Sequence, residues 1–236
     1  MLTNEQSEKL IAFVLYPGLT PLDMVGPLQV LTSLSALAPQ YRTVVVGQRI
    51  EPMDSDIHVQ MLPDKTFDAM PRPFALIVPG GGVPTLRAMS NAAIRQYVRT
   101  AAETAEIVGS VCTGALILAA VGLLKGRQAT THWAFAKVLE HLGATYRRKR
   151  WVEDGKYITA AGVSAGIDMG LRLAARLTDE ATARQVQLSI EYDPQPPFGR
   201  IDWDHIGLLP RTVRAGVTLA APFLAFQPKR MTSQGR

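Results

Sequence analysis

Three short apolar runs each end in a sharp turn and hand over to a helical pattern, and this alternation restricts the chain to a sheet with helices packed on it. LIAFVLY (10–16) runs into Pro17-Gly18, FALIV (74–78) into Pro79-Gly80-Gly81-Gly82, and IVGSV (107–111) into Cys112-Thr113-Gly114. Runs this short and this uniformly apolar read as strands buried on both faces. After the first, Thr20-Pro21-Leu22-Asp23 has the form of a helix start, with Thr20 as N-cap, Pro21 at the first helical position and Asp23 in the first turn. Leu22, Val25, Leu28, Val30, Leu31 and Leu34 carry that helix to about residue 37, with a kink expected at Gly26-Pro27.

Further strands are expected at 43–46 and 57–62, a polar helix at 92–104, and an apolar helix from Thr113 to near Gly122. Beyond Gly126 the pattern predicts a short strand at 128–131 and a helix at 133–142. A hairpin-like pair, 145–152 with 157–160, follows around Glu153-Asp154-Gly155-Lys156, then two helices at 164–177 and 179–190. The whole predicts an α/β three-layer sandwich with a mostly parallel sheet. At 236 residues the chain is expected to form a single domain, with a core from about residue 10 to 226 and a polar basic tail at 227–236.

The formal charge of +5 comes from basic residues spread along the chain, and only 146–150, YRRKR, is dense. That run reads as a solvated strand edge or turn, where Lys and Arg also deter strand pairing, so no nucleic-acid partner is expected. The apolar runs at 114–124 and 215–226 fall short of the roughly 20 residues that cross a bilayer, and MLTNEQSEKL lacks the pattern of a secretory signal. A cytoplasmic protein without membrane association is the expectation. One cysteine, Cys112, rules out an intramolecular disulfide and a zinc site of the multi-cysteine kind.

In a parallel sheet, ligands bind outside the carboxyl ends of the strands, so the three turns are expected to meet in one place. Cys112 sits between a buried strand and a helix with almost no loop, the arrangement of a nucleophile elbow. A thiol at a helix N-terminus meets the positive end of the macrodipole, which is expected to lower its pKa. The amides of Gly81 and Gly82 are candidate donors to negative charge on a substrate. Asp23 is the candidate acid or base, with a pKa expected to rise away from bulk water; the alternative role for it is stabilisation of the helix dipole.

YPGLTPLDMVGP, IVPGGG, VCTGALILAAVGLLKGRQATTHW, AAGVSAGIDMGLRLAARL and EYDPQPPF together resemble the ThiJ/PfpI branch of the class I glutamine-amidotransferase-like superfamily. The resemblance extends from Leu10 to about Phe226 and implies that superfamily's flavodoxin-like fold. Within it the residues look like those of the isonitrile hydratases, which add water to R–N≡C to give an N-substituted formamide. The family's nucleophile falls on Cys112 and its following residue on Thr113. Many members carry Glu on the first helix where the hydratases, like this chain at Asp23, carry Asp. Thr113 stands where protease-like members have His, so their Cys-His pair is missing. His132, in Thr130-Thr131-His132-Trp133, is read as structural.

The resemblance therefore implies catalysis by Cys112, Asp23 and Thr113 through a covalent thioimidate, with the Thr113 hydroxyl orienting Asp23 or the substrate. It implies no metal or organic cofactor, an isonitrile as small-molecule substrate, and a homodimer. Two other readings stand beside it. An exposed, low-pKa cysteine would suit a redox or stress sensor. The same domain also resembles the ligand-sensing part of AraC-type regulators, but with only a tail expected after Phe226 a DNA-binding regulator is not the expectation.

Overall fold

The computed structural model describes residues 8–204, together with Thr212 and Gly216. In chain order the first half contains β1 (Lys9–Val14), α1 (Pro21–Leu37), β2 (Tyr41–Gly47), β3 (Met53–Asp54), β4 (Gln60–Met61), β5 (Lys65–Thr66) and β6 (Ala75–Val78). It continues with α2 (Val83–Ala88), α3 (Ala92–Thr104), β7 (Ile107–Val111) and α4 (Gly114–Ala120). The second half contains β8 (Gln128–Ala129), a 3-10 turn (Trp133–Phe135), α5 (Ala136–His141), β9 (Thr145–Tyr146), β10 (Trp151–Asp154), β11 (Tyr157–Ala160), α6 (Ala165–Leu177) and α7 (Glu180–Ser189).

One seven-stranded sheet organises these elements in the order β10-β11-β7-β6-β1-β2-β5. All neighbours are parallel except the β10–β11 pair at the edge, which is an antiparallel hairpin. The α/β expectation holds. The three apolar runs are adjacent central strands, and β6 and β7 are buried at every position, which explains their unbroken hydrophobicity. Because β1, β6 and β7 lie side by side, the turns at their carboxyl ends share one rim of the sheet.

Helices α1 and α6 pack together on one face at close range. A side chain at Gly166 would meet Pro27 at 3.0 Å and Val111 at 3.1 Å, and one at Gly170 would meet Val30 at 3.0 Å. These glycines of α6 let α1 settle closely against it, with α6 itself resting on Val111 of β7.

Several local details differ from the sequence-based expectation. Thr20 occupies the N-cap position, but its hydroxyl donates to Asp56 at 2.5 Å instead of capping α1. The strand expected at 57–62 is a small separate hairpin, with Met53–Asp54 paired to Gln60–Met61, which brings Asp56 to that hydroxyl. The dense basic run, by contrast, is the exposed strand end and turn expected from the sequence, with Arg148 paired to Asp204 at 3.3 Å and Arg150 to Asp168 at 2.6 Å on the surface. The amino-terminal segment 1–7, the apolar stretch 213–226 and the tail 227–236 lie outside the described residues, apart from Gly216. Among the described residues no helix is long and apolar enough to cross a membrane.

Candidate active site

Cys112 follows β7 directly and adopts φ 55°, a left-handed conformation that costs a residue with a Cβ roughly 1–2 kcal/mol. The surroundings hold it there. Its amide donates to the carbonyls of Ala160 and Ala161 at 3.1 and 3.0 Å, and its own carbonyl accepts the Thr131 hydroxyl at 2.8 Å. The chain then enters α4 at once. Gly114 has no room for a side chain, because a Cβ there would overlap the Val78 carbonyl. The elbow geometry read from IVGSVCTG is thus present as a strained, fully hydrogen-bonded turn.

Four strand ends meet around this turn. The Thr20 amide donates to the Gly80 carbonyl at 2.9 Å, joining the first turn to the second. Gly80 lies against both Thr113 and Asp23: a Cβ there would sit 2.5 Å from the Thr113 nitrogen and 2.9 Å from Asp23 Oδ2. The fourth strand end, 161–164 after β11, brings the Val163 amide to the Cys112 sulfur.

Asp23 is fully buried, and neither carboxyl oxygen makes a hydrogen bond of full geometry among the described residues. The Cys112 thiol and the Gly80 amide still lie close enough to favour its charged form, but burial dominates and its pKa is pushed up to about 7. The expected rise is present.

The expectation for the thiol fails. Burial, reinforced by the Asp23 carboxylate, pushes the Cys112 pKa well above the ordinary value, and the Thr113 and Val163 amides oppose this only in part. A seven-residue helix supplies too little field to offset the loss of water around a residue that is 4% exposed. Cys112 therefore rests as a thiol next to a group able to take its proton.

Two further candidates are engaged within the protein. The Gly81 amide donates to Thr113 Oγ1 at 3.0 Å and is not turned to an incoming atom. The Thr113 hydroxyl, between that amide and Thr85 Oγ1 at 2.8 Å, faces the glycine turn. Gly82 takes φ 54° and opens α2. His132 accepts the Ala134 amide at Nδ1, capping the 3-10 turn, and burial lowers its pKa.

Sequence reasoning missed Tyr16, Thr85, Thr131 and Val163. Only Val163 left a signal, since AAGVSAG repeats the strand, small-residue turn and helix pattern of the other three rim segments.

Residues 9–176 match the DJ-1/PfpI family. The chain is 42% identical over 189 residues to the isonitrile hydratase of Pseudomonas putida, covering 80% of each. It is 30% identical over 194 residues to the HTH-type transcriptional regulator CdhR of Pseudomonas aeruginosa, of which it covers only 55%. Among solved structures, a THiJ/PfpI family protein from Pseudomonas syringae aligns with TM-score 0.85 and 35% identity, over 94% of this chain and 92% of that one.

Proposed function

The chain belongs to the DJ-1/PfpI family, and on that premise we propose that it is an isonitrile hydratase, converting R–N≡C and water into R–NH–CHO. One observation carries this reading: a strained cysteine faces a buried aspartate whose pKa lies near neutrality, in a chain 42% identical to a protein of that activity.

In the reactive form the Cys112–Asp23 pair holds a single proton. As sulfur bonds to the terminal isonitrile carbon, Asp23 accepts the thiol proton and delivers it to that carbon, giving the thioimidate Cys–S–CH=N–R. Water then adds to the same carbon while nitrogen takes a proton. The C–S bond breaks, R–NH–CHO leaves, and the remaining proton returns to the pair. The sum is one water consumed and no change in oxidation state, so the residues present suffice. Thr113 and Gly82 act from the turn that frames the sulfur, and Gly81 acts through its bond to Thr113.

The buried, high-pKa thiol favours this reading over a redox sensor, which needs an exposed thiolate. We assign the protein to the cytoplasm as a homodimer by family resemblance. Leu22 and Val25, 45% and 44% exposed on either side of Asp23, offer apolar surface for a partner copy.

The test is formamide formation from a panel of alkyl and aryl isonitriles by the parent and Cys112→Ala, with intact-mass analysis during turnover. Turnover that depends on Cys112, with an adduct heavier than the protein by one whole isonitrile, supports the proposal. Turnover retained by Cys112→Ala removes it.

A further inference from the structure

Tyr16, Thr85 and Thr113 form an unbroken line of buried hydroxyls, 2%, 0% and 0% exposed. Tyr16 contacts the Pro79 carbonyl and Thr85 Oγ1, both at 2.9 Å. Thr85 contacts Thr113 Oγ1 at 2.8 Å, and Thr113 receives the Gly81 amide at 3.0 Å.

Counting protons assigns every donor. A carbonyl only accepts, so the single Tyr16 proton goes to Pro79. Tyr16 then accepts from Thr85, which spends the Thr85 proton, and Thr85 accepts from Thr113. The chain runs one way, from the Gly81 N–H through three hydroxyls to the Pro79 C=O. Its two ends lie on the same turn, on either side of Gly80, so the hydroxyls close a ring around that residue. Burial also raises the Tyr16 pKa, so the phenol keeps its proton at working pH.

Gly80 is the residue whose amide faces Asp23, and its carbonyl is held by the Thr20 amide at 2.9 Å. We propose that Tyr16 and Thr85 are positioning residues which, through Thr113, clamp the Pro79–Gly81 turn so that the Gly80 amide points at the Asp23 carboxylate. The Thr113 hydroxyl proton is spent on Thr85 and is not given to Asp23 or to substrate. The clamp rests on the Cys112–Asp23 pairing proposed above, but a probe that needs no isonitrile turnover can test it.

That probe is iodoacetamide alkylation of Cys112 across pH 5–9, run beside kcat and KM for an isonitrile and a thermal unfolding curve. In Thr85→Val and Tyr16→Phe the Gly80 amide drifts from Asp23, and the alkylation midpoint is expected to rise by about 1 pH unit, the scale of one charge-assisted hydrogen bond. Where turnover is measurable, kcat falls by roughly tenfold while KM moves much less. Thr85→Ser, which keeps the hydroxyl, returns both towards the parent. An unmoved midpoint in folded Thr85→Val and Tyr16→Phe overturns the assignment, and so does failure of Thr85→Ser to restore it. If one of the first two variants does not fold, the other decides. Unfolding of both would assign these hydroxyls to stability alone. A moved midpoint without turnover by the parent would sink the hydratase reading and leave the clamp standing.

Discussion

The Thr131 hydroxyl donates to the carbonyl of Cys112 at 2.8 Å, so a residue two positions past the end of β8 secures the strained turn from outside its own strand and helix. Thr131 is fully buried. Thr131→Val keeps shape and leaves the carbonyl without this donor, at an expected cost of about 1–3 kcal/mol. The protein should melt lower and turn over more slowly, and Thr131→Ser should recover most of both. Urea unfolding and initial rates on the three proteins check this. Equal stability of the Val variant and the parent would show that the bond does not hold the elbow.

Asp23 gives stability a particular pH dependence. Its folded pKa, about 7, exceeds the ordinary value of 3.8, so between these values the folded state binds more protons than the unfolded one. This contribution therefore makes stability fall as pH rises from about 4 to 7 and level off above, by on the order of 4 kcal/mol at most. Asp23→Asn cannot ionise and should lack this slope. Its stability relative to the parent should improve between pH 5 and pH 8, measured by urea unfolding at both. A constant difference would mean that Asp23 is not desolvated in solution.

The same pair sets the reactivity of the thiol. Loss of one proton from the doubly protonated pair, near pH 7, leaves a carboxylate able to take the thiol proton. Alkylation of Cys112 and kcat/KM for an isonitrile should both climb through pH 7 and then plateau. In Asp23→Asn the rise should disappear from this range, because the thiol then has no neighbouring base and burial keeps it protonated. Parallel profiles for parent and variant would remove Asp23 from the chemistry.

Much of this arrangement was legible in the sequence because strand burial and turn chemistry are local. IVGSV and FALIV could be placed by composition, and Cys112, Asp23 and Gly80-Gly81-Gly82 followed from their positions at strand ends. The direction of the Cys112 pKa was not legible, since it depends on Ala160–Ser164 and α1 closing over the sulfur, and no local feature reports that burial. Tyr16 read simply as the end of an apolar run. Thr85 lies in α2, a six-residue helix too short to leave a periodic pattern, and its role appears only when residues 69 and 28 positions away along the chain reach its hydroxyl. In EYDPQPPF, Tyr192 donates to Asp168 at 3.2 Å, an acid that also holds Arg150, so that motif braces the start of α6.

Two glycine substitutions separate backbone strain from collision at the site. Gly122 has φ 87° and open space where a Cβ would stand, so Gly122→Ala should cost about 1 kcal/mol through strain alone and leave turnover unchanged. At Gly80 the nearest neighbours of a Cβ would be the Thr113 nitrogen at 2.5 Å, Thr113 Oγ1 at 2.6 Å and Asp23 Oδ2 at 2.9 Å. Two of these are a backbone atom and a hydroxyl already held by two hydrogen bonds, so they cannot simply swing aside. Gly80→Ala must therefore push the turn away from Asp23, at roughly 1–3 kcal/mol, with a fall in kcat of tenfold or more. Urea unfolding and turnover of both variants give the comparison. Equal catalytic losses would show that the Gly80 contact with Asp23 has no special part in the reaction, whereas a loss confined to Gly80→Ala ties the rate to the position of one amide.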